Sequence, residues 1–140
     1  MASVPTERNT KICVPLASDS DLVVARREGR SLATQLGLTS SDATLVATAI
    51  SELARNIVSY ARRGEIHISL VHVGSRPGIA IVAHDDGPGI SDIDAAMREG
   101  YSTSGGLGLG LAGVKRIMDE FQIASEPGRG TTVSVTKWKR

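Results

Sequence analysis

The sequence predicts a two-layer α/β sandwich, a mostly antiparallel mixed sheet covered on one face by helices. Three observations carry that expectation. Val46, Ile50, Leu53 and Ile57 step by four, three and four residues, one apolar stripe on a helix. From Glu65 the period falls to two, with Ile66, Ile68 and Leu70 alternating with His67, Ser69 and Val71. The segments follow the order β-α-α-β-β, then a loop with a short helix, then α-β-β.

Each element has a local reason. Ile12, Val14 and Leu16 alternate with Cys13 and Pro15, which reads as a strand near a sheet edge, where proline is tolerated. Ser18 or Asp19 caps a helix that runs to about Leu36 and stops at Gly37. Ser40 or Ser41 opens a second helix, lasting to about Arg62 and ending before Gly64. The turn sequence GSRPG (74–78) separates the alternating run after Glu65 from a second β-branched run, Gly78 to Ala83, giving a hairpin. Leu111, Val114, Ile117, Met118 and Phe121 mark a third long helix, and EPGRG (126–130) turns into a closing strand, Thr131 to Trp138.

Length and composition narrow the function. A chain of 140 residues is one domain, 1–140, and buries a core without staples. Net charge is +1, with 8 basic and 7 acidic residues up to Leu70 and 8 of each after it. Neither half is polarised, which speaks against nucleic-acid binding, as does an aromatic content of 3%. Cys13 is the only cysteine, so there is neither a disulfide framework nor a cysteine zinc site. The polar first ten residues are no signal peptide, and the longest uncharged run, Gly100 to Val114, is too short and too rich in glycine to span a bilayer. A cytoplasmic protein is expected.

Three short motifs carry chemistry. Glu52 and Asn56 are four apart on the second helix, at the edge of its buried face. A carboxylate there can take a proton from a nucleophile, and an amide oxygen can ligate a hard cation such as Mg²⁺. The same pair also suits the polar flank of any amphipathic helix. Asp85-Asp-Gly87-Pro-Gly89 closes a strand: Asp85 can accept a hydrogen bond from an exocyclic amine, or the segment is a plain turn. Gly106, Gly108 and Gly110 lie in a glycine-rich run that opens the third helix. Their N–H groups can converge on an anion, or the glycines can serve loop flexibility and helix packing. Tyr101 to Ser104, just before, fits a mobile lid. His67, His72 and His84 fall in strands and read as sheet-face residues.

With these motifs in this order the sequence resembles the GHKL ATPase/kinase superfamily, named for gyrase, the heat-shock chaperone, histidine kinases and MutL. Glu52 and Asn56 match its N box, Asp85, Gly87 and Gly89 its G1 box, and Gly106, Gly108 and Gly110 its G2 box. Gly128-x-Gly130-Thr131 resembles its later G-x-G-T element. More closely, AISELARNI (49–57), DDGPGISDI (85–93), GYSTSGGLGLGLAGVKRIMDEF (100–121) and TKW (136–138) are similar to RsbT-type switch kinases of bacterial stress signalling.

The resemblance implies a histidine-kinase-like ATPase fold that uses ATP and Mg²⁺. In it Glu52 is the general base, Asn56 holds Mg²⁺ and Asp85 reads the adenine amine. Gly87 and Gly89 allow close approach, Gly106, Gly108 and Gly110 cradle the phosphates, and Thr131 adds a hydroxyl near the base. It further implies serine or threonine phosphorylation of STAS-domain partners, an RsbS-like antagonist and an RsbR-like scaffold. On release the kinase would bind and activate an RsbU-like PP2C phosphatase. The chain departs from complete histidine kinases, lacking a dimerisation helix pair with a phosphoacceptor histidine, and from large GHKL ATPases, lacking a transducer domain. Two rivals stay open: an anti-sigma factor kinase like the RsbW and SpoIIAB types, and a non-catalytic nucleotide-gated binding module, against which Glu52 speaks.

Overall fold

The computed structural model describes residues 11–61, 63–90, 97 and 110–140. Its elements are β1 (Ile12–Leu16), α1 (Asp19–Leu36), α2 (Ser40–Asn56), a π-helical turn (Ile57–Ala61), β2 (Gly64–Val73), β3 (Arg76–Asp85), α3 (Gly110–Ile117), β4 (Glu120–Glu126) and β5 (Gly130–Trp138). The strands form one sheet in the order β1-β2-β3-β5-β4. All four pairings are antiparallel. Pro15 does lie in an edge strand, since among the described residues β1 pairs with β2 alone.

Period two makes one face of this sheet apolar. In register across all five strands run Ile12, Ile68, Ile81, Val135 and Phe121, then Val14, Ile66, Ala83, Val133 and Ile123. Ile66, Ile68 and Ile81 are fully buried beneath the helices. The other face alternates outward: Ser69, Ala80, Val82, Ser134 and Gln122 belong to it, together with His67 and His84, as the sequence reading expected. A Gly74-Ser75 turn joins β2 to β3, with Gly74 at φ +62°, as a two-residue hairpin turn requires.

The helix ends follow local chemistry. At the start of α1 the Asp21 carboxylate accepts the N–H groups of Ala17 and Ser18 at 2.8 and 3.2 Å. Gly37, at φ +99°, ends α1 by donating to Thr34, while Leu38 donates to Ala33. Thr39, one residue before the expected serines, caps α2 by accepting the Asp42 N–H at 3.0 Å.

One expectation is refined and one corrected. Regular α2 ends at Asn56, and its last turn widens to π geometry over Ile57–Ala61; Arg62 lies outside the described residues. The third helix stops at Ile117, and Phe121 belongs to β4. Phe121 and Ile123 share the face that packs on Val135 and Val133, so strand pairing overrides the helical spacing. The short helix expected between Ile90 and Gly110 falls outside the described residues. Among the described residues no helix is long and apolar enough to cross a membrane.

A charge cluster closes the end of the sheet where β5 finishes. Asp119 accepts the Trp138 N–H at 2.7 Å, pairs with Arg140, and lies 3.8 Å from the Lys137 ammonium. Burial opposes the Asp119 charge, but the Trp138 N–H, Lys137 and Arg140 outweigh it and hold the carboxyl below its ordinary value. The lowered value makes this stabilisation complete above about pH 4, where an unfolded aspartate is ionised, and lost as pH falls through the folded value. In thermal melts wild type should therefore exceed Asp119→Asn at pH 7, with the gap shrinking below about pH 4. A gap that stays constant down to pH 3 would remove this ion cluster from the stability balance.

Candidate functional site

Past the two apolar rows, the next row on the helix-facing side turns polar. Leu16, Gly64, Asp85, Thr131 and Ser125 stand in register across the five strands. Asp85 is the last residue of β3, and its Oδ1 accepts the Gly87 N–H at 2.9 Å. It therefore both completes a strand and starts a turn, and the turn engages one of its two carboxylate oxygens. Thr131, its neighbour on β5, has its hydroxyl 2.8 Å from that of Ser125.

Sequence reasoning missed Ser125. Its Oγ accepts the Ile90 N–H at 2.7 Å and donates to the Gly130 carbonyl at 3.1 Å, tying the loop after Asp85 to the β4–β5 turn. The signal was strand alternation in β4, which is hidden once Phe121 is assigned to a helix. Across the same gap the Gly128 N–H donates to the Pro88 carbonyl at 2.7 Å.

Gly87 and Gly89 are required by the protein's own packing. A methyl group at Gly87 would stand 2.5 Å from that of Ala61, in the π turn that ends α2. At Gly89, where φ is +78°, it would overlap the Glu126 carbonyl. The loop is thus pressed between the end of α2 and the β4–β5 turn. Ala61, a second residue the motifs did not flag, is the contact that joins the Asp85 loop to the helix of Glu52 and Asn56.

Glu52 is only 2% exposed, whereas its spacing placed it on the rim of the buried face. The difference has a physical cause: α2 packs against α1, the sheet and α3, so its buried sector is wider than a one-sided stripe. Asn56, about 6 Å further along the axis, is half-buried, as is Arg55. Gly110 is buried at the first position of α3, with φ +58°. Lys115 and Arg116 are exposed. Gly106, Gly108 and the Tyr101–Ser104 segment lie outside the described residues. Elsewhere a hollow of about 390 Å³ is lined by Gln122, Ile123, Ala124, Thr132 and Ser134, none of them a predicted site residue.

Comparison with known proteins identifies relatives of the chain. Residues 41–140 match the family described as histidine kinase-, DNA gyrase B-, and HSP90-like ATPase. The chain is 49% identical over 132 residues to a serine/threonine-protein kinase RsbT of Bacillus subtilis, covering 94% of this chain and 99% of that one. It is 31% identical over 118 residues to an anti-sigma F factor of Caldanaerobacter subterraneus, covering 81% and 82%. Among solved structures, the RsbU and RsbW domains of a Mycobacterium tuberculosis protein superpose with a TM-score of 0.61 at 20% identity, over 93% of this chain and 33% of that one. At that identity the likeness concerns the fold alone.

The crowding at Gly89 can be separated from its backbone angle. Gly128 has a similar φ, +80°, with open space around it. Gly128→Ala is expected to cost about 1–2 kcal/mol for the angle alone. Gly89→Ala should cost at least twice that in urea unfolding, because the Glu126 backbone must also move. Equal losses would mean that the loop is not seated on Glu126.

Proposed function

The chain belongs to the histidine kinase-, DNA gyrase B-, and HSP90-like ATPase family and is a protein serine/threonine kinase of the RsbT type; from this premise we propose that ATP is held between the polar row at Asp85, the end of α2 and the start of α3. The observation that carries this reading is the seat of Gly87 on Ala61, which brings the Asp85 loop to the helix of Glu52 and Asn56.

The roles follow from the chemistry of each group. Asp85 accepts the adenine amine on the carboxylate oxygen that its own turn leaves over, with the Thr131 hydroxyl beside it. Gly87 and Gly89, seated against Ala61 and the Glu126 carbonyl, hold the loop where the base can approach its backbone closely. Backbone N–H groups at Gly106, Gly108 and Gly110 receive the phosphates, Gly110 with the added dipole of α3. Glu52 accepts the proton of the incoming serine or threonine hydroxyl as that oxygen bonds to the γ-phosphorus. The bond from the γ-phosphorus to the β-phosphate oxygen breaks, and ADP leaves. In such transfers positioning and charge neutralisation matter more than covalent help.

The donors fit Mg²⁺ as an ion shared with the nucleotide. Asn56 offers one neutral oxygen, and among the described residues no group of three His, Cys, Asp or Glu could hold a metal unaided. Mg²⁺ commonly takes its remaining ligands from phosphate oxygens and water, and when bound it neutralises phosphate charge.

For substrates the proposal is STAS-domain proteins, an RsbS-like antagonist and an RsbR-like scaffold, with a PP2C-type phosphatase activated on release in the cytoplasm. The 49% identity to an RsbT kinase over nearly both whole chains supports this over sigma-factor sequestration, the reading that the 31% relative would favour. The test is mass spectrometry of STAS proteins after incubation with this chain and Mg-ATP. A phosphorylated serine or threonine is expected; no phosphoprotein, with a sigma factor captured instead, would overturn the reading.

Two substitutions separate the roles. Glu52→Ala should bind ATP within about threefold of wild type yet lose at least about 10²-fold in transfer rate. Undiminished transfer would remove Glu52 from the mechanism. Asp85→Asn should weaken ATP binding itself by about tenfold or more in calorimetry, the loss of one hydrogen bond to a charged group. Equal affinity would refute the adenine role.

A further inference from the structure

Among the described residues two charged side chains are buried, Glu52 and Lys137. Glu52 belongs to the proposed site; Lys137 has no part in it. Its ammonium donates to the Ile117 carbonyl at 2.8 Å, the last residue of α3. It lies 3.9 Å from the Asp42 carboxylate, in the first turn of α2, and 3.8 Å from that of Asp119. Arg140 pairs with the same two carboxylates, so two cations face two anions. A lysine beneath a helix C-terminus and an aspartate at a helix N-terminus each complement the dipole they face.

These contacts join the start of α2 to the end of α3. From this anchor α2 runs toward Glu52 and Asn56, and α3, traced backward, runs toward Gly110. The lengths agree: Asp42 to Asn56 is about 21 Å of helix. Thr131 to Lys137 is about 20 Å of β5. Lys137 and the Asp85–Thr131 row therefore mark opposite ends of one layer. The eight residues of α3 include two glycines, so its intrinsic helical stability is low and its placement depends on tertiary contacts.

We propose that Lys137 is a positioning residue for ATP: by fixing the far ends of α2 and α3 it sets where Gly110 stands relative to Glu52 and Asn56. This rests on the reading that ATP lies between those helices. Removing the ammonium frees the end of α3, and because the placement of this short helix depends on its tertiary contacts, the change reaches Gly110 about 10 Å away.

The test is calorimetry with ATP, steady-state kinetics and hydrogen exchange on wild type, Lys137→Met and Leu22→Ala, the last a core truncation in α1. In Lys137→Met, ATP affinity should fall about tenfold, with KM for ATP rising equally and kcat at saturating ATP within about twofold. Amides of α3 should exchange faster, and ATP should restore their protection. Leu22→Ala, although destabilised, should keep wild-type affinity. Where Lys137→Met does not fold, Asp42→Asn, which keeps the bond to Ile117, should weaken ATP about threefold. Wild-type affinity in the Lys137 or Asp42 variant, or an equal loss in Leu22→Ala, would overturn the role of Lys137 while leaving the ATP site standing. Wild-type protein that ignores ATP would remove both.

Discussion

The register of β3 between β2 and β5 is the constraint on which the remaining geometry depends. It aligns two apolar rows under the helices and, one row further, sets Asp85 beside Gly64 and Thr131. With side chains alternating, a slip by one residue would turn Ile79, Ile81 and Ala83 to the open face and bring Asp85 with them. The burial of those apolar side chains resists any such slip, so the same force that builds the core aims the carboxylate. The candidate site and the core share one alignment here, and the polar row is where the core ends.

From that row the site is assembled by close backbone contact more than by side-chain bonding. Gly87 meets Ala61, Gly89 meets the Glu126 carbonyl, and Gly130 stands against the Asp85 backbone. Ser125 adds the hydrogen bonds that hold the two loops together. Such an arrangement suits phosphoryl transfer, which asks for groups held in place and little covalent participation. At the other end of the layer, charge does the fixing: Lys137 and Arg140 against Asp42 and Asp119.

Much of this was legible in the sequence, for identifiable reasons. The stripe Val46–Ile57 and the alternation after Glu65 are strong local signals, and they located α2, β2 and β3. Gly37 and the Gly74 turn were readable because each needs a backbone angle that glycine tolerates best. The end of α3 was not readable, since Phe121 fits a helical spacing and only its pairing with Val135 makes it a strand residue. Glu52 was placed on a rim because a helical wheel considers one packing face, whereas α2 has neighbours on several. The glycines of the Asp85 loop were seen as clearance for a ligand; their role against Ala61 and Glu126 depends on residues distant in the chain.

The π turn at Ile57–Ala61 has a consequence for how this family of sequences can vary. Wide turns of this kind hold one residue more than an α-helix needs over the same height. Losing a single residue there would let the segment relax to ordinary winding at little cost to the helix itself. The residues beyond the loss would keep their facing, so the cost falls on the turn itself, which carries the alanine methyl into its glycine socket. Length in this short stretch is therefore open to change for the helix and for the strand that follows, while the small side chain at 61 is held by its fit to Gly87.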